Sequence, residues 1–172
     1  PMPADRPLTL RSARTQDVPV IQALVEPLAR ERVLLQKEAV AYYEAIQEFV
    51  VAEEADGTLA GFGALHVMWQ DIAEVRTLAV SEAHRGTGVG HLIIEELLDR
   101  ARAVGVERVF CLTFEVEFFR RHGFEVMADQ SAVDPEVYAE LLRSTDEGVA
   151  EFLDLARVKP NTLGNTRMIR RL

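Results

Sequence analysis

Residues 74–105 decide the fold. They read Glu74-Val-Arg-Thr-Leu-Ala-Val80, then Ser81-Glu-Ala-His-Arg85-Gly-Thr-Gly88-Val-Gly90, then a helical pattern from His91 to Gly105. An apolar strand, a glycine-rich turn and an amphipathic helix in this order leave the first N–H groups of the helix without partners. The glycines let a ligand approach the backbone closely, and the helix dipole adds positive character. The stretch therefore predicts a site for phosphate or pyrophosphate, with a tight turn that binds nothing as the alternative.

The spacing within the turn distinguishes between phosphate-binding motifs. No Gly-Lys-Ser/Thr follows, as a Walker A loop requires, and the glycines lack the G-x-G-x-x-G spacing of a dinucleotide site. The turn instead resembles the Arg/Gln-x-x-Gly-x-Gly/Ala signature of the GNAT superfamily of N-acetyltransferases, and Phe118-Phe-x-x-x-Gly-Phe124 resembles a second motif of that superfamily. The resemblance implies that no metal is used. It also implies that the pyrophosphate of acetyl-CoA is bound by a loop of six residues: Arg85, Gly86, Thr87, Gly88, Val89 and Gly90.

Length and composition set the class of protein. A chain of 172 residues indicates a single domain over 1–172. The formal net charge of -9 argues against nucleic acid as a partner, because a phosphate backbone attracts a basic surface. No apolar run reaches membrane-spanning length, and Pro1-Met-Pro-Ala-Asp-Arg6 lacks the apolar region of a signal peptide. With Cys111 as its one cysteine, the sequence predicts a cytoplasmic protein that contacts no membrane.

The order of elements predicts an α/β fold. Periodicity gives β-α-α-β-β-β-α-β-α-β, which indicates a mixed, mostly antiparallel sheet with helices on both faces, as in the GNAT fold. Residues 134–172 then form a helical tail with a last strand. Locally, we expect Thr15 to cap the first helix, Pro27 to end or kink it, and Ser144 to cap a tail helix.

Acetyl transfer to an amine needs a group that accepts the amine proton. Glu74 is the first candidate, because histone acetyltransferases of the superfamily carry their base glutamate at the same offset on the central strand. Alternation would place Glu74, Arg76 and Leu78 on one face of that strand, and the alternative role for Glu74 is an ion pair with Arg76. Glu115, Glu117 and His66 are rival bases.

The superfamily resemblance also bears on oxyanion stabilisation and on the acid. The superfamily resemblance implies that backbone N–H groups near Leu78, Ala79 and Val80 stabilise the oxyanion and that this strand borders the pantetheine arm. The usual acid is a tyrosine, but here Phe119 occupies its position. Phe119 would line the pantetheine arm or fill the core. His84 and His122 are expected to face solvent.

Longer phrases carry a closer resemblance. Ala73-Glu-Val-Arg-Thr-Leu-Ala-Val80, the phrase over 109–119 and the tail phrase over 146–168 look like the short, single-domain bacterial N-acetylglutamate synthases. The resemblance implies transfer of acetyl from acetyl-CoA to the α-amine of L-glutamate, at the start of arginine biosynthesis. The short form that this chain resembles lacks the amino-acid-kinase-like domain that carries the arginine site in long synthases. Feedback by arginine is an expectation from the resemblance, although the short form lacks that site. A homodimer is a second expectation.

A dicarboxylate acceptor requires cationic side chains, and arginine suits this role best because its planar fork matches a carboxylate. The candidates are Arg30, Arg32, Lys37, Arg76 and Lys159. Each could instead be an ordinary surface charge. Two other functions remain open at this point: an acetyltransferase for another small amine, such as glutamine or a polyamine, and a non-catalytic acetyl-CoA sensor.

Overall fold

A computed structural model describes residues 7–34, 37–127, 133–153 and 165–172. The strands in these ranges are β1 Thr9–Ser12, β2 Phe49–Glu53, β3 Leu59–Trp69, β4 Ile72–Val80, β5 Arg108–Thr113, β6 Glu125–Val126 and β7 Thr166–Arg171. The α-helices are α1 Val18–Arg30, α2 Ala39–Glu44, α3 Val89–Val104, α4 Val116–Arg121, α5 Pro135–Leu141 and α6 Glu147–Phe152. The chain order of strands and helices matches the order that periodicity predicts.

The strands form one seven-stranded sheet in the order β1-β2-β3-β4-β5-β7-β6. The pairs β1–β2, β2–β3, β5–β7 and β6–β7 are antiparallel. β4 and β5 are parallel, with Ile72 opposite Arg108 and Glu74 opposite Phe110. The parallel pair follows from the crossover through α3. The prediction of a mixed, mostly antiparallel sheet is confirmed.

The chain divides into two compact units, and the first contains Pro1–Leu65 and Val75–Arg100. Its core packs one face of α1 and the ring of Tyr42 against β2 and β3. The core residues are Val18, Ile21, Val25, Tyr42, Phe49, Val51, Leu59, Phe62, Ala64 and Ala79. The apolar side chains of α1 recur every three to four residues, which is why the helix can bury one stripe.

Close packing in this unit requires glycine at one position on β3. A Cβ on Gly61 would lie 2.8 Å from the carbonyl oxygen of Ala79 and 2.9 Å from Cδ1 of Ile93. The register of β2 and β3 also shifts between Ala52 and Glu53. The glycines on this strand predict a close backbone approach or a bulge, and the structure shows both.

The start of α1 differs from the prediction, and of the two outcomes expected at Pro27 the structure excludes an end of the helix there. Thr15 does not cap the helix; instead the Asp17 carboxylate accepts a hydrogen bond of 2.7 Å from the backbone N–H of Arg14 and two more from Arg11. Pro27 does not end the helix, which continues to Arg30. The proline removes one hydrogen bond in the last turns, and burial of the apolar stripe outweighs that loss because tertiary packing supplies most helix stability.

The second compact unit contains His66–Glu74 and Ala101–Leu172. Its core joins β5 to the tail helices through Ile72, Phe110, Leu141, Val149, Phe152 and Leu153. Phe110 and Phe152 meet edge to face with ring centroids 5.4 Å apart. The tail is therefore part of the packed structure of this unit.

The expected last strand of the tail is β7, which lies between β5 and β6 in the sheet. Arg167 on this strand donates hydrogen bonds to the carbonyl oxygens of Glu151 and Phe152 at the end of α6. The cap of α6 differs from the prediction: Asp146, not Ser144, accepts a hydrogen bond of 3.0 Å from Val149 N–H. Ser144 Oγ accepts from Asp146 N–H instead and so supports the cap.

Across the described ranges, no helix is both long and apolar enough to cross a bilayer. Lys159 lies outside those ranges. The interpretation of residues 1–172 as a single functional domain stays a prediction.

Candidate active site

The glycine-rich turn has a backbone that only glycine adopts easily. Gly86 has φ +75° and Gly88 has φ +87°, and a Cβ added at either position would have no atom within 4 Å. The space is open, so backbone conformation and not crowding requires glycine here. A short 3₁₀ turn over Glu82–His84 leads into this segment. The side of the loop that carries the glycines is therefore accessible to a ligand.

Helix α3 begins at Val89, directly after the loop. Val89 is 1% exposed, and Ile93 and Leu97 are fully buried, so the start of the helix is anchored in the core. Leu92 N–H closes the first turn on the Gly88 carbonyl oxygen. The earlier N–H groups of an α-helix have no partner inside the helix, and they sit beside the exposed Arg85. Free N–H groups, a helix dipole and a guanidinium together can bind an anionic phosphate.

His84 is not solvent-facing, which corrects the prediction for this residue. Its side chain is 15% exposed. Its Nδ1 lies 2.6 Å from Ser81 Oγ, and its Nε2 lies 2.8 Å from Glu54 Oε1. Glu54 is 30 residues away in the sequence, so no local spacing could indicate this contact. Sequence reasoning therefore missed this partly buried set of hydrogen-bonded side chains directly before the loop.

Glu74, the predicted base, is 6% exposed on β4. It pairs with Phe110 in the parallel register. Burial raises the pKa of the neighbouring Cys111 thiol, and the negative charge of Glu74 raises it further. Cys111 is thus a buried core thiol with little thiolate character.

The central strand β4 is not regular, and the irregularity lies at Thr77. Thr77 has φ +54° although it is β-branched and only 9% exposed. Such a residue in the left-handed region is strained, and strain of this kind gathers at functional sites. Burial still alternates along this part of the strand: Arg76, Leu78 and Val80 are half-buried, and Val75, Thr77 and Ala79 between them are buried. Glu74 differs from Arg76 and Leu78 because it is buried.

The residues after Thr77 pack closely on β3. Leu78 Cδ1 lies 3.1 Å from the position that a Cβ on Gly63 would take. Ala79 is 8% exposed, and its carbonyl oxygen faces Gly61. Val80 is half-buried at the end of the strand. The backbone of this segment is therefore held rigidly, as a preorganised oxyanion donor must be.

The rival bases have more exposed positions than Glu74. Glu117 is 74% exposed at its side chain and forms a 2.8 Å ion pair with Arg120. Glu115 is exposed at the start of α4, where its N–H donates to Thr113 Oγ1. His66 Nε2 lies 3.9 Å from Asp146 Oδ1. Of these candidates, Glu74 is the most buried carboxyl.

Phe119 lies in an aromatic cluster. It is 5% exposed and meets Phe118 and Phe124 edge to face, with centroids 5.2 and 5.1 Å apart. His122 is half-buried, and its ring packs 5.2 Å from Phe118. His122 is therefore partly shielded from solvent by this ring. Phe119 is buried among aromatic rings within the second unit.

The predicted acceptor clamps have different surroundings. Arg30 is 72% exposed at its side chain and pairs with Glu26 at 3.1 Å. Arg32 is exposed with φ +60°, and Arg76 is half-buried on β4. Lys37 differs from these three because it lines a cavity of about 230 Å³. That cavity is bounded by Gln22, Ala23, Val25, Glu26, Lys37 and Tyr42.

A lysine, a carboxylate and a buried phenol lie around this cavity. Tyr42 is 2% exposed, and burial raises its pKa, so its hydroxyl is neutral at physiological pH. The carboxylate is that of Glu26, which also pairs with Arg30. Among the residues with described side chains, no group of three or more His, Cys, Asp or Glu residues is placed to hold a metal ion.

Comparisons with known proteins agree with this geometry. Residues 20–124 match the acetyltransferase (GNAT) family. An amino-acid acetyltransferase from Mycobacterium tuberculosis is 53% identical over 169 residues, which cover 97% of this chain and 96% of that protein. A crystal structure of a Mycobacterium tuberculosis protein in complex with CoA and a second ligand has a TM-score of 0.90 at 53% identity. The alignment covers 95% of this chain and 99% of that one.

A second relative is longer than this chain. N-acetylglutamate synthase from Neisseria gonorrhoeae, complexed with CoA and N-acetyl-glutamate, has a TM-score of 0.76 at 26% identity. The match covers 98% of this chain and 36% of the synthase. The same synthase complexed with CoA and L-arginine has a TM-score of 0.71, with 34% of the synthase covered. With a family match over residues 20–124 and a relative of nearly equal length at 53% identity, the chain belongs to the acetyltransferase (GNAT) family.

Proposed function

We propose that this enzyme transfers acetyl from acetyl-CoA to the α-amino group of L-glutamate and forms N-acetylglutamate. The observation that carries the proposal is the loop from Arg85 to Gly90, whose open, left-handed glycines precede a helix anchored in the core. The choice of L-glutamate is supported by similarity to the amino-acid acetyltransferase of Mycobacterium tuberculosis and to the Neisseria gonorrhoeae synthase.

The loop would bind the pyrophosphate of acetyl-CoA. Exposed Arg85 supplies positive charge, and the backbone N–H groups of Gly86, Gly88, Val89 and Gly90 supply donors at the start of α3. Thr87 Oγ1 donates to the His84 carbonyl oxygen, which fixes the turn before a ligand arrives. A loop that is already shaped loses less entropy on binding.

Glu74 would accept a proton from the glutamate ammonium, directly or through water. The free amine then attacks the thioester carbonyl carbon and forms the C–N bond. Backbone N–H groups near Leu78, Ala79 and Val80 would stabilise the oxyanion, and the rigid packing of that segment supports this role. The strained Thr77 would help to hold those groups in place.

The C–S bond then breaks, and the electron pair leaves on sulfur. With Phe119 in the position of the usual tyrosine, no phenol is available there as an acid. A thiol has a pKa of about 8.5, so the thiolate can leave as an anion and take a proton from water afterwards. The second proton of the attacking amine passes to water, because Glu74 already holds the first, and Glu74 then releases its proton to water.

The acceptor would bind through its carboxylates. Lys37 is the strongest candidate for a clamp, because it lines a cavity together with the neutral Tyr42. Arg30, Arg32 and Arg76 are further candidates. The exposed ion pair of Arg30 with Glu26 would have to open before Arg30 could bind a carboxylate.

The wider context is also part of the proposal. We place the enzyme in the cytoplasm, where acetyl-CoA and free glutamate are available, and at the first step of arginine biosynthesis. The proposal also includes a single catalytic domain, a homodimeric assembly and inhibition by L-arginine. The complex of the Neisseria gonorrhoeae synthase with L-arginine supports arginine as a ligand of this family branch.

The test is release of CoA thiol from acetyl-CoA with L-glutamate, L-glutamine, other amino acids and spermidine as acceptors. Release that depends on L-glutamate is the expected result. Release with L-glutamine alone would change the acceptor and keep the reaction. Release only with a polyamine would overturn the amino-acid assignment, and CoA binding without any release would indicate a sensor.

A further inference from the structure

Three hydrogen-bonded side chains connect the turn between β2 and β3 to the proposed phosphate loop. Ser81 Oγ lies 2.6 Å from His84 Nδ1, and His84 Nε2 lies 2.8 Å from Glu54 Oε1. We propose that His84 is a positioning residue for coenzyme binding: held by Ser81 and Glu54, it fixes the loop of Arg85 to Gly90 in its phosphate-binding shape.

The hydrogen-bond roles follow from the carboxylate. An ionised Glu54 only accepts, so His84 Nε2 carries a hydrogen and donates it. In the neutral imidazole, Nδ1 then accepts from the Ser81 hydroxyl. Glu54 is 8% exposed and the His84 side chain 15%, so water competes little for either bond. A bond to a buried charged group is stronger than one between neutral groups.

The backbone of His84 continues the connection into the loop. Its carbonyl oxygen accepts from Thr87 N–H at 3.3 Å and also from the Thr87 hydroxyl. These two bonds close a turn around Arg85 and Gly86. The imidazole therefore sets the position of the carbonyl on which the turn closes.

Glu54, at the other end of these three hydrogen-bonded side chains, is also held in place. Glu54 N–H donates to the Thr58 carbonyl oxygen, and its own carbonyl oxygen accepts from Gly57 N–H. Asp56 Oδ1 accepts from Thr58 N–H at 2.9 Å. At the loop side, Ser81 N–H donates to the Ala60 carbonyl oxygen at 2.9 Å. Both partners of His84 are thus held by backbone bonds, and the imidazole has a fixed frame.

The inference rests on the proposed role of the loop, and the test separates the two. We would measure the CoA dissociation constant by calorimetry for the wild type, His84→Ala, Ser81→Ala and Arg85→Ala. Loss of both side-chain bonds in His84→Ala should weaken CoA binding about tenfold, and loss of one in Ser81→Ala about threefold. His84→Gln, whose amide can still donate to Glu54, should recover part of the loss.

The second readout uses S-acetylpantetheine as the acetyl donor, because it lacks the pyrophosphate. His84→Ala should raise the KM for acetyl-CoA and leave kcat/KM for S-acetylpantetheine unchanged. Asp17→Asn is the matched control, since it breaks a different buried bond in the same unit and should leave CoA affinity unchanged.

Several outcomes would overturn the inference. Equal losses with both donors, or an effect of Asp17→Asn on CoA affinity like that of His84→Ala, would indicate general damage to the fold. Unchanged CoA affinity in His84→Ala and Ser81→Ala, with weakened affinity in Arg85→Ala, would leave the loop site standing without His84. Unchanged affinity in Arg85→Ala as well would remove the proposed loop site itself.

Discussion

At the scale of residues, burial separates Glu74 from the other acidic candidates. It is 6% exposed, whereas the side chain of Glu117 is 74% exposed and paired with Arg120. A buried carboxylate in contact with a substrate amine has little bulk water to compete for the proton. General bases of this kind contribute a large factor to rate, and their removal affects turnover more than binding.

Glu74→Gln should therefore reduce kcat by roughly a hundredfold or more while the CoA dissociation constant stays constant. The amide has nearly the same shape but cannot accept a proton from the ammonium. Thiol-release kinetics and calorimetry would measure the two quantities. Glu115→Gln is the control and should keep its turnover. If Glu115→Gln loses turnover and Glu74→Gln does not, the base is Glu115.

The buried ion pair of Arg11 and Asp17 gives a second prediction at this scale. Two hydrogen bonds from the Arg11 guanidinium, of 2.8 and 2.9 Å, lower the pKa of Asp17 below its ordinary value. Because the folded pKa is below the unfolded value, the pair stabilises the protein above about pH 4. That stability is lost as pH falls through the lowered pKa.

Asp17→Asn should lower the free energy of unfolding at pH 7 by about 2 kcal/mol. The variant should also lose less stability than the wild type between pH 5 and pH 2. Urea unfolding at a series of pH values would measure both effects. Parallel pH profiles for the two proteins would show that Asp17 does not contribute to acid unfolding.

At the scale of elements, the loop before α3 and the turn between β2 and β3 offer a matched pair. Gly88 has φ +87° and Gly57 has φ +88°, and neither has an atom within 4 Å of an added Cβ. A side chain at either position therefore causes backbone strain without a steric clash. Only Gly88 belongs to the proposed coenzyme site.

Gly88→Ala and Gly57→Ala should each cost about 1 kcal/mol of stability, because L-residues are disfavoured at this φ. Only Gly88→Ala should weaken CoA binding, by about tenfold, since the strained loop misplaces a donor to a charged group. Thermal melts and calorimetry would test this pair. Equal CoA affinity in both variants would contradict the role of the loop.

At the scale of the whole molecule, the tail is essential to the second unit. β7 lies between β5 and β6, and Phe152 of α6 is fully buried against Phe110. The unit therefore depends on contacts between residues about 40 positions apart. An isolated change in the tail should destabilise this core as strongly as a change in the central strands.

Phe152→Ala should cost about 3–5 kcal/mol in the free energy of unfolding, the usual cost for an aromatic ring removed from a core. Phe114→Ala is the control: Phe114 is 44% exposed, so its removal should cost about 0.5 kcal/mol or less. Urea unfolding would measure both. A small effect of Phe152→Ala would mean that the tail contributes little to stability.

Local patterns in the sequence determined much of this protein. The order of strands and helices and the glycine-rich turn from Arg85 to Gly90 follow from periodicity and from glycine spacing. The GNAT motifs also lie within short stretches. These features depend on neighbours in the chain, and so a single sequence contains the information for them.

The tertiary structure alone decided the features that join distant residues. The Asp17 carboxylate binds Arg11, Pro27 lies inside α1, and the partly buried His84 contacts Glu54. The left-handed Thr77 is another such feature, because a threonine in a strand pattern predicts regular β backbone. Packing outweighs local preference at these positions, since the free energy of burial and of buried hydrogen bonds exceeds the small differences in backbone propensity.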